Sequence, residues 1–248
     1  MEKSYVVIPA RYASTRLPKK MLLCETGKPL VQYAYEAAKK AKLPAGVIVA
    51  TDQPEIFDVV KNFGGKAIMT DPNAASGTDR IAEVAAKLKD VAIFVNVQGD
   101  EPEMRPESID LLVRLLVDHP DVQMATLCTP IRSRKMLEDP ACVKVVRDKN
   151  QRALYFSRSV IPHPRNWSDE MLIADPPLFY LHLGVYAYRR EFLLKMGGLP
   201  QSPLETTESL EQLRVLANGY PILCSVVEHS ARGIDTREDY DQFVKRCK

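Results

Sequence analysis

The sequence predicts an α/β protein built on a doubly wound, mostly parallel sheet, with a smaller antiparallel elaboration in its second half. Three observations predict this fold. Short apolar runs alternate with amphipathic helical patterns through the first half of the chain. The run 91–97 is apolar on both faces, as a central parallel strand must be. In the second half, several strand-like runs are joined by irregular polar segments.

The elements of the first half are justified by their ends as well as by their apolar periodicity. Pro29 suits the first turn of a helix, and Thr51-Asp52 is expected to cap the helix that begins at Pro54. The pair Gly64-Gly65 ends that helix. The predicted order is strand 5–8, a helix from 29, strand 47–50, a helix from 54, strand 67–69, a helix around 81–88 and strand 91–97.

The second half continues the sheet and adds the elaboration. Its predicted elements are strands 124–127, 142–146, 153–156 and 183–188, a helix around 210–216, strand 222–227 and a terminal helix from Thr236. We expect one domain over 1–248, with an elaboration at roughly 125–200. Segments of this kind often supply a substrate lid or an oligomer contact.

Composition excludes several function classes. The formal net charge of the 248 residues is +2, so no global field draws the chain to nucleic acid or to a membrane surface. Five scattered cysteines without CxxC spacing predict reduced thiols rather than a disulfide framework or a zinc site. No apolar run reaches the ~20 residues that span a bilayer, and the first residues lack a signal-peptide core. We therefore expect a cytoplasmic protein without membrane insertion.

The first predicted strand ends in a basic loop that carries Arg11, Arg16, Lys19 and Lys20. In open α/β sheets, ligands bind beyond the carboxyl ends of the strands, and Arg and Lys suit phosphate oxygens. The loop is therefore interpreted as a phosphate cradle, with a merely solvated charged loop as the alternative. Neither a Walker A pattern nor a Gly-x-Gly-x-x-Gly after a strand is present, which disfavours a P-loop enzyme and a dinucleotide oxidoreductase.

Two aspartates are candidate magnesium ligands. Asp100 follows the strand 91–97, where Gly99 permits a tight turn, and Asp235 lies at a strand-to-helix junction. Mg²⁺ is commonly bound by one or two carboxylates together with substrate phosphates. The alternatives are that Asp100 only shapes its turn and that Asp235 caps the last helix. Carboxylates beside a basic loop indicate phosphoryl or nucleotidyl transfer, which needs positioning and charge neutralisation.

Other polar positions allow both a structural and a functional interpretation. The segment 76–80 precedes a helix, so its amides can form a polar pocket, and Thr78 or Asp79 is the expected N-cap. Gly77 lets a base approach the backbone closely. His182, on a predicted strand, is either a hydrogen-bonding core residue or a substrate contact.

Six groups of motifs, taken together, closely resemble those of the 3-deoxy-manno-octulosonate cytidylyltransferases, also called CMP-KDO synthetases. The resemblance runs in order over nearly the whole chain. The motifs are Ile8-Pro9-Ala10-Arg11-Tyr12-Ala13-Ser14-Thr15-Arg16-Leu17-Pro18, the segment 96–102, Val143-Lys144-Val145-Val146, the segment 153–158, His182-Leu183-Gly184-Val185-Tyr186, and Ser202-Pro203-Leu204-Glu205 with the segment 210–214.

The resemblance implies a nucleotidyltransferase fold, Mg²⁺ dependence, a homodimer and a role in making the lipopolysaccharide inner core. It also implies that CMP passes from CTP to the anomeric hydroxyl of KDO, with release of pyrophosphate, and that Arg16, Lys20 and Asp100 are catalytic. The implied sites are Arg11, Arg16 and Lys20 for the triphosphate; Ser76, Gly77, Thr78, Asp79, Arg80 and Gln98 for cytosine and ribose; Asp100 and Asp235 for magnesium; and Arg158, His182, Tyr186, Glu211 and Gln212 for the sugar acid.

Some positions depart from the family pattern. Lys19 stands where the family commonly has Gly, and Asp79 where it commonly has Glu. Two alternatives to KDO transfer stay open at this point. The first is transfer to a related acid, such as 8-amino-KDO or a sialic acid. The second is a non-catalytic nucleotide-binding homologue.

Overall fold

The computed structural model describes residues 2–11, 17–74, 76–229 and 233–247, and over these ranges nine strands join in one sheet. The strands are β1 (Ser4–Ala10), β2 (Val47–Thr51), β3 (Ala67–Met69), β4 (Ile93–Asn96), β5 (Met124–Pro130), β6 (Lys144–Arg147), β7 (Ala153–Ser157), β8 (Tyr180–Arg189) and β9 (Ile222–Val226). The α-helices are α1 (Leu30–Lys39), α2 (Pro54–Asn62), α3 (Gly77–Lys87), α4 (Pro106–Asp118), α5 (Arg134–Glu138), α6 (Arg190–Met196), α7 (Pro203–Glu208), α8 (Gln212–Ala217) and α9 (Arg237–Cys247).

The sheet confirms the predicted fold class. Its strand order is β3-β2-β1-β4-β8-β5-β9, and β1 to β4 are mutually parallel where they pair. Strand β8 is inserted antiparallel between β4 and β5, and β9 pairs with β5 in parallel. The antiparallel pair β6–β7 branches from β8. The second half therefore both continues the sheet and adds an antiparallel elaboration.

Successive residues of β1 face opposite layers of the core, as the strand geometry requires. Val6 and Ile8 pack with residues of α1 and α4, whereas Val7 packs with Ile81 and Val84 of α3. All five side chains are fully buried. Burial of each such side chain stabilises the fold by roughly 1.5–3 kcal/mol. Helices on both faces fix the sheet, so the ends of its strands form a rigid edge for a site.

The last helix docks beside this edge. Tyr240 and Phe243 of α9 pack on Leu30 of α1, together with Ile234 from the segment before the helix. The Tyr240 hydroxyl accepts a hydrogen bond from the backbone N–H of Glu25 at 3.0 Å. The backbone N–H of Ile234 in turn donates to the carbonyl of Asp100 at 2.9 Å. This docking brings residue 235 to the end of β4.

Two predicted helix caps are wrong. The N-cap of α2 is Gln53, without a side-chain bond, and Asp52 instead accepts a hydrogen bond from Arg80. The N-cap of α3 is Ser76, not Thr78 or Asp79. Ser76 and Asp79 form a capping box, in which each side chain accepts from the backbone N–H of the other. Among the helices of the described ranges, none combines the length and the apolar character needed to cross a membrane.

Candidate active site

A polar cavity of about 380 Å³ opens where β1 and β4 end, at the position predicted for a ligand. Residues from both halves of the chain line it. They are Pro9, Arg11, Lys20, Met21, Gly77, Thr78, Asn96, Gln98, Gly99, Asp100, Tyr186, Glu211 and Asp235. Nine of the residues implied by the family resemblance are thus brought together, and they include members of the triphosphate, cytidine, sugar and metal groups.

One wall of the cavity is built around the ammonium group of Lys20. Its Nζ donates to Asp100 Oδ2 at 2.6 Å and to Asp235 Oδ1 at 3.1 Å. The lysine side chain is only 8% exposed, compared with 24% for Asp100 and 48% for Asp235. Because the three groups are partly removed from water, their attraction is stronger than that of a surface pair. The two aspartates therefore converge on one cation position.

The position of Asp235 decides between the two interpretations of its sequence context. The capping bonds before α9 are made by Asp239, whose carboxylate accepts from the backbone N–H groups of Asp235 and Thr236. The carboxylate of Asp235 accepts instead from Lys20. The alternative that Asp235 caps the last helix is therefore wrong.

The opposite wall carries hydrogen-bonding groups. The Thr78 hydroxyl donates to Glu211 Oε2 at 2.7 Å, which links the start of α3 to the residue before α8. The Gln98 amide donates to Asn96 Oδ1 and to the carbonyl of Gly184, each at 3.3 Å. These bonds hold the amide and the carboxylate in place, as the selective recognition of a polar ligand requires.

Burial changes the titration of Tyr186, which lines the cavity, and of Glu101, which follows Asp100 in the chain. It raises the pKa of Tyr186, and the nearby Tyr188 and Glu211 add to the effect. Burial also raises the pKa of Glu101 to about 8, with the charges of Asp100 and Asp235 adding to it. The phenol of Tyr186 therefore stays protonated at neutral pH and can donate a hydrogen bond into the cavity.

Three residues expected to contact cytosine and ribose do not line the cavity. Ser76 and Asp79 form the capping box of α3. Arg80 is buried, and its guanidinium donates to Asp52 at 2.7 Å and to Thr70 at 2.9 Å. Local capping and ion pairing occupy the polar atoms of these three side chains, so their contact with the nucleotide stays a prediction.

Three residues expected on the sugar side are also absent from the lining of the cavity. His182 is buried, with its Nε2 3.1 Å from the Thr126 hydroxyl, and burial lowers its pKa to about 3. Arg158 donates to backbone carbonyls, among them that of Glu208 at 2.7 Å. Gln212 is buried in the first turn of α8. The core interpretation of His182 is thus the one that the structure supports.

Sequence reasoning missed part of the lining. Pro9 and Asn96 stand in the two strongest motifs, but their side chains gave no chemical signal of a ligand contact. Gly99 does not have a positive φ. A Cβ atom there would lie 2.9 Å from the sulfur of Met21, so close packing explains the glycine. Arg16, expected to hold phosphate and to take part in catalysis, lies outside the described residues.

The arrangement can bind a polyanion on one side and a hydroxylated ligand on the other. Arg11 and Lys20 supply positive charge, and the pair Asp100 and Asp235 can share a divalent cation. Glu211 and Gln98 supply an acceptor and an amide for a polar second ligand. These groups suit transfer between a phosphorylated donor and a hydroxylated acceptor.

Comparisons with known proteins place the chain in a class of transferases. The profile of the family described as Cytidylyltransferase matches residues 5–227. A solved structure of CMP:2-keto-3-deoxy-manno-octonic acid synthetase complexed with CTP superposes with a TM-score of 0.92 at 44% identity, over 99% of this chain and 98% of that chain. A putative glucose-1-phosphate thymidylyltransferase from Bacillus anthracis shares the fold, with a TM-score of 0.65 at 15% identity over 98% and 95% of the two chains. Fold and site thus define a nucleotidyltransferase.

Two curated relatives indicate the family of nucleotidyltransferases to which the chain belongs. A 3-deoxy-manno-octulosonate cytidylyltransferase from Rhodopirellula baltica is 49% identical over 247 residues, which cover 99% of each chain. One from Syntrophotalea carbinolica is 47% identical over 235 residues, or 94% of each chain. The chain belongs to the 3-deoxy-manno-octulosonate cytidylyltransferase family, as the sequence motifs predict.

Proposed function

We propose that this protein transfers CMP from CTP to the anomeric hydroxyl of 3-deoxy-D-manno-octulosonate and releases pyrophosphate. The product would serve the synthesis of the lipopolysaccharide inner core. The observation that carries the proposal is the convergence of Lys20, Asp100 and Asp235 in one cavity, in a chain nearly half identical to enzymes of that name. Such a cluster suits a reaction in which charge on phosphate must be neutralised.

In the proposed reaction, the sugar hydroxyl oxygen forms a bond to the α-phosphorus of CTP. The bond from that phosphorus to the α–β bridging oxygen breaks, pyrophosphate leaves, and the hydroxyl proton is released. Arg11 and Lys20 would stabilise the charge that develops on the leaving group, and we expect the same of Arg16. Loss of one such preorganised charge typically costs about 10²-fold or more in rate.

The carboxylates fit a magnesium ion. Asp100 and Asp235 already share one cation, the Lys20 ammonium, at 2.6 and 3.1 Å. Mg²⁺ prefers such oxygen ligands and takes the rest of its shell from water and phosphate. When bound, the ion would polarise the α-phosphate and lower the pKa of the attacking hydroxyl. Asp100 and Asp235 would hold it, which supports the proposed magnesium dependence.

The remaining polar residues of the cavity have proposed roles in binding. Gly77, Thr78 and Gln98 would contact the cytidine, whereas Tyr186 and Glu211 would contact the sugar acid. The protonated Tyr186 can donate to the sugar and Glu211 can accept from its hydroxyls.

A pyrophosphate-release assay tests the function. Purified protein with Mg²⁺ is given each nucleoside triphosphate in turn, with KDO, 8-amino-KDO or a sialic acid as acceptor. We expect release with CTP and KDO. Preferred release with another acid would correct the substrate, and CTP binding without any release would favour the non-catalytic alternative.

The variant Asp100→Asn serves as the mechanistic control in the same assay. It removes one carboxylate charge without changing the side-chain volume, so turnover should fall on the order of 10³-fold or more. CTP should still bind measurably in isothermal titration. Wild-type turnover by this variant would contradict the metal assignment.

Two further expectations from the sequence stay predictions. A homodimer is expected, and sedimentation equilibrium of the purified protein would measure its mass. A cytoplasmic location is also expected, and fractionation of cells that express the protein would test it.

A further inference from the structure

The ammonium group of Lys20 occupies the space between the two proposed metal ligands. It bonds to one oxygen of each carboxylate, and 92% of the lysine side chain is covered, given its exposure of 8%. Lys20 lies in a short 3₁₀ helix, Lys20–Leu22, directly after Lys19, whose backbone is left-handed with φ 53°. The backbone turn therefore aims this lysine into the cavity, while its neighbour pairs with Glu55 on the surface.

We propose that Lys20 is an internal counter-cation, which keeps divalent metal from Asp100 and Asp235 until a triphosphate attracts its ammonium group away. This inference rests on the proposed magnesium site. It assigns Lys20 a role before chemistry begins, in addition to its expected contact with phosphate.

The physical argument is a competition for the same negative charge. Two carboxylates that share one position repel each other, and the Lys20 ammonium neutralises that repulsion. A metal ion can use both oxygens only if the ammonium moves away, which costs two charge-assisted hydrogen bonds in a partly buried site. Without another partner for Lys20, this cost weakens metal binding.

A triphosphate removes the cost. Phosphate oxygens carry several negative charges and accept hydrogen bonds from an ammonium as well as carboxylates do. Since Lys20 can exchange its carboxylate partners for phosphate, the nucleotide and the metal should each raise the affinity for the other, because such coupling is reciprocal. The site would then bind a metal ion chiefly together with its substrate.

Direct metal binding tests the inference without any turnover. Mn²⁺ alone is titrated into the metal-free protein, and free Mn²⁺ is followed by electron paramagnetic resonance. The variant Lys20→Met should bind Mn²⁺ at least about tenfold more tightly than the wild type, because a unit positive charge is removed next to the carboxylates. Lys20→Arg keeps the charge and should bind as weakly as the wild type.

A matched control uses the neighbouring lysine. Lys19→Met also removes one positive charge, but from an exposed pair with Glu55, so Mn²⁺ affinity should stay within about twofold of the wild type. Lys20→Gln provides a second neutral variant if Lys20→Met has a lowered melting temperature. Equal Mn²⁺ affinity of the wild type and both neutral variants would overturn the inference.

Addition of Asp100→Asn separates the two proposals. If the tighter binding of Lys20→Met is lost in the double variant, the ion occupies the proposed carboxylates and the inference is supported. If Asp100→Asn weakens Mn²⁺ binding but Lys20→Met does not strengthen it, the metal site stands and only the counter-cation role is overturned. If Asp100→Asn changes nothing in either background, the proposed metal site itself is contradicted.

Discussion

The guanidinium of Arg80 is 2% exposed, and its main partner, Asp52, is 12% exposed. Within this pair, the Oδ1 atom of Asp52 and the Nε atom of Arg80 are buried and have no hydrogen-bond partner among the residues that the structure describes. The ion pair is therefore incompletely satisfied. Arg80 also donates to Thr70 and to the carbonyl of Asp71, so it ties the end of β3 to α3. Its role is to hold this part of the cavity's frame.

The variant Arg80→Met should be strongly destabilised. It leaves the Asp52 carboxylate buried without its cation, which costs about 3–5 kcal/mol in the free energy of unfolding. The double variant Arg80→Met with Asp52→Leu should recover much of the loss, because the desolvated charge is gone. Urea unfolding monitored by circular dichroism measures both changes.

The exposed pair Lys28–Glu36 provides the comparison for this prediction. Both side chains are more than one-third exposed, so Lys28→Met should change the free energy of unfolding far less than Arg80→Met does. An equally small change for Arg80→Met would contradict the structural role. It would return Arg80 to the nucleotide site expected from the family motif.

The hydrogen bond from Thr78 to Glu211 is a second effect at the scale of single residues. Its loss in Thr78→Val frees the carboxylate of Glu211, which lines the cavity and is proposed to contact the sugar acid. A hydrogen bond to a charged group contributes about 1.5–3 kcal/mol, so kcat/KM for the sugar acid should fall at least tenfold. Thr78→Ser keeps the hydroxyl and should retain activity close to the wild type. Equal losses in the two variants, measured by pyrophosphate release, would contradict this role.

At the scale of elements, the N-terminus of α3 shows how one short motif is divided between fold and site. Ser76 and Asp79 satisfy the first N–H groups of the helix, whereas Gly77 and Thr78 face the cavity. The two outer residues of the motif thus fix the helix start, and the two inner residues line the cavity. The helix start is fixed by two side chains so that the two between them are presented to the ligand.

Replacement of the cap should affect stability more than binding. Ser76→Ala should lower the free energy of unfolding by about 1 kcal/mol. Ser76→Gly should lower it by only about 0.3 kcal/mol. CTP affinity in isothermal titration should change less than threefold in both variants. Weaker CTP binding in both variants at unchanged stability would instead show that the serine contacts the nucleotide.

The elements that sequence predicted well are those with continuous apolar patterns. Strands β1, β2 and β4 and the helices between them follow directly from alternation and from Pro and Gly positions. The place of β8 between β4 and β5 could not follow from local pattern, because non-local pairing decides it. The backbone of Lys19 is a second feature that local pattern could not predict. Its positive φ favours glycine, the residue expected there from the family pattern, but a lysine in the sequence does not indicate a left-handed backbone.

The site was predictable where a motif ends a strand, and less so where a polar side chain has a local partner. The basic loop with Lys20 and the carboxylate of Asp100 are candidates from their place after a strand, whereas Asp235 is favoured as a helix cap by its local sequence and is assigned to the metal only by the family resemblance. Arg80 and His182 carry the same kinds of polar groups, but the fold gives them buried partners. Only packing distinguishes the two cases, and a single sequence does not contain it.

At the scale of the whole molecule, the site depends on contacts between the last helix and earlier parts of the chain. Helix α9 is bound through Arg237 to Glu25 and through Arg246 to Glu103, besides its apolar contact with α1. These contacts surround the segment that carries residue 235. The cavity wall formed by Lys20, Asp100 and Asp235 is therefore complete only when the last helix is docked, so its formation is part of global folding.

Buried groups also couple global folding to pH, and His182 is the clearest case. The Thr126 hydroxyl is 2.8 Å from the carbonyl of Val185, to which it donates, so the histidine Nε2–H donates to Thr126. Burial lowers its pKa to about 3, whereas a histidine in an unfolded chain titrates near 6.5. Between these values, the unfolded chain binds a proton that the folded protein does not.

Stability must therefore fall as the pH falls through this window. Each pH unit fully inside it changes the free energy of unfolding by about 1.4 kcal/mol, so this residue alone should remove about 2 kcal/mol between pH 6.5 and 5. His182→Gln cannot titrate, and its urea-unfolding free energy should lack that part of the slope. His119→Gln removes an exposed histidine and should keep the slope of the wild type. Parallel curves for the wild type and His182→Gln would show that the ring is protonated in the folded protein, which the burial of the ring opposes.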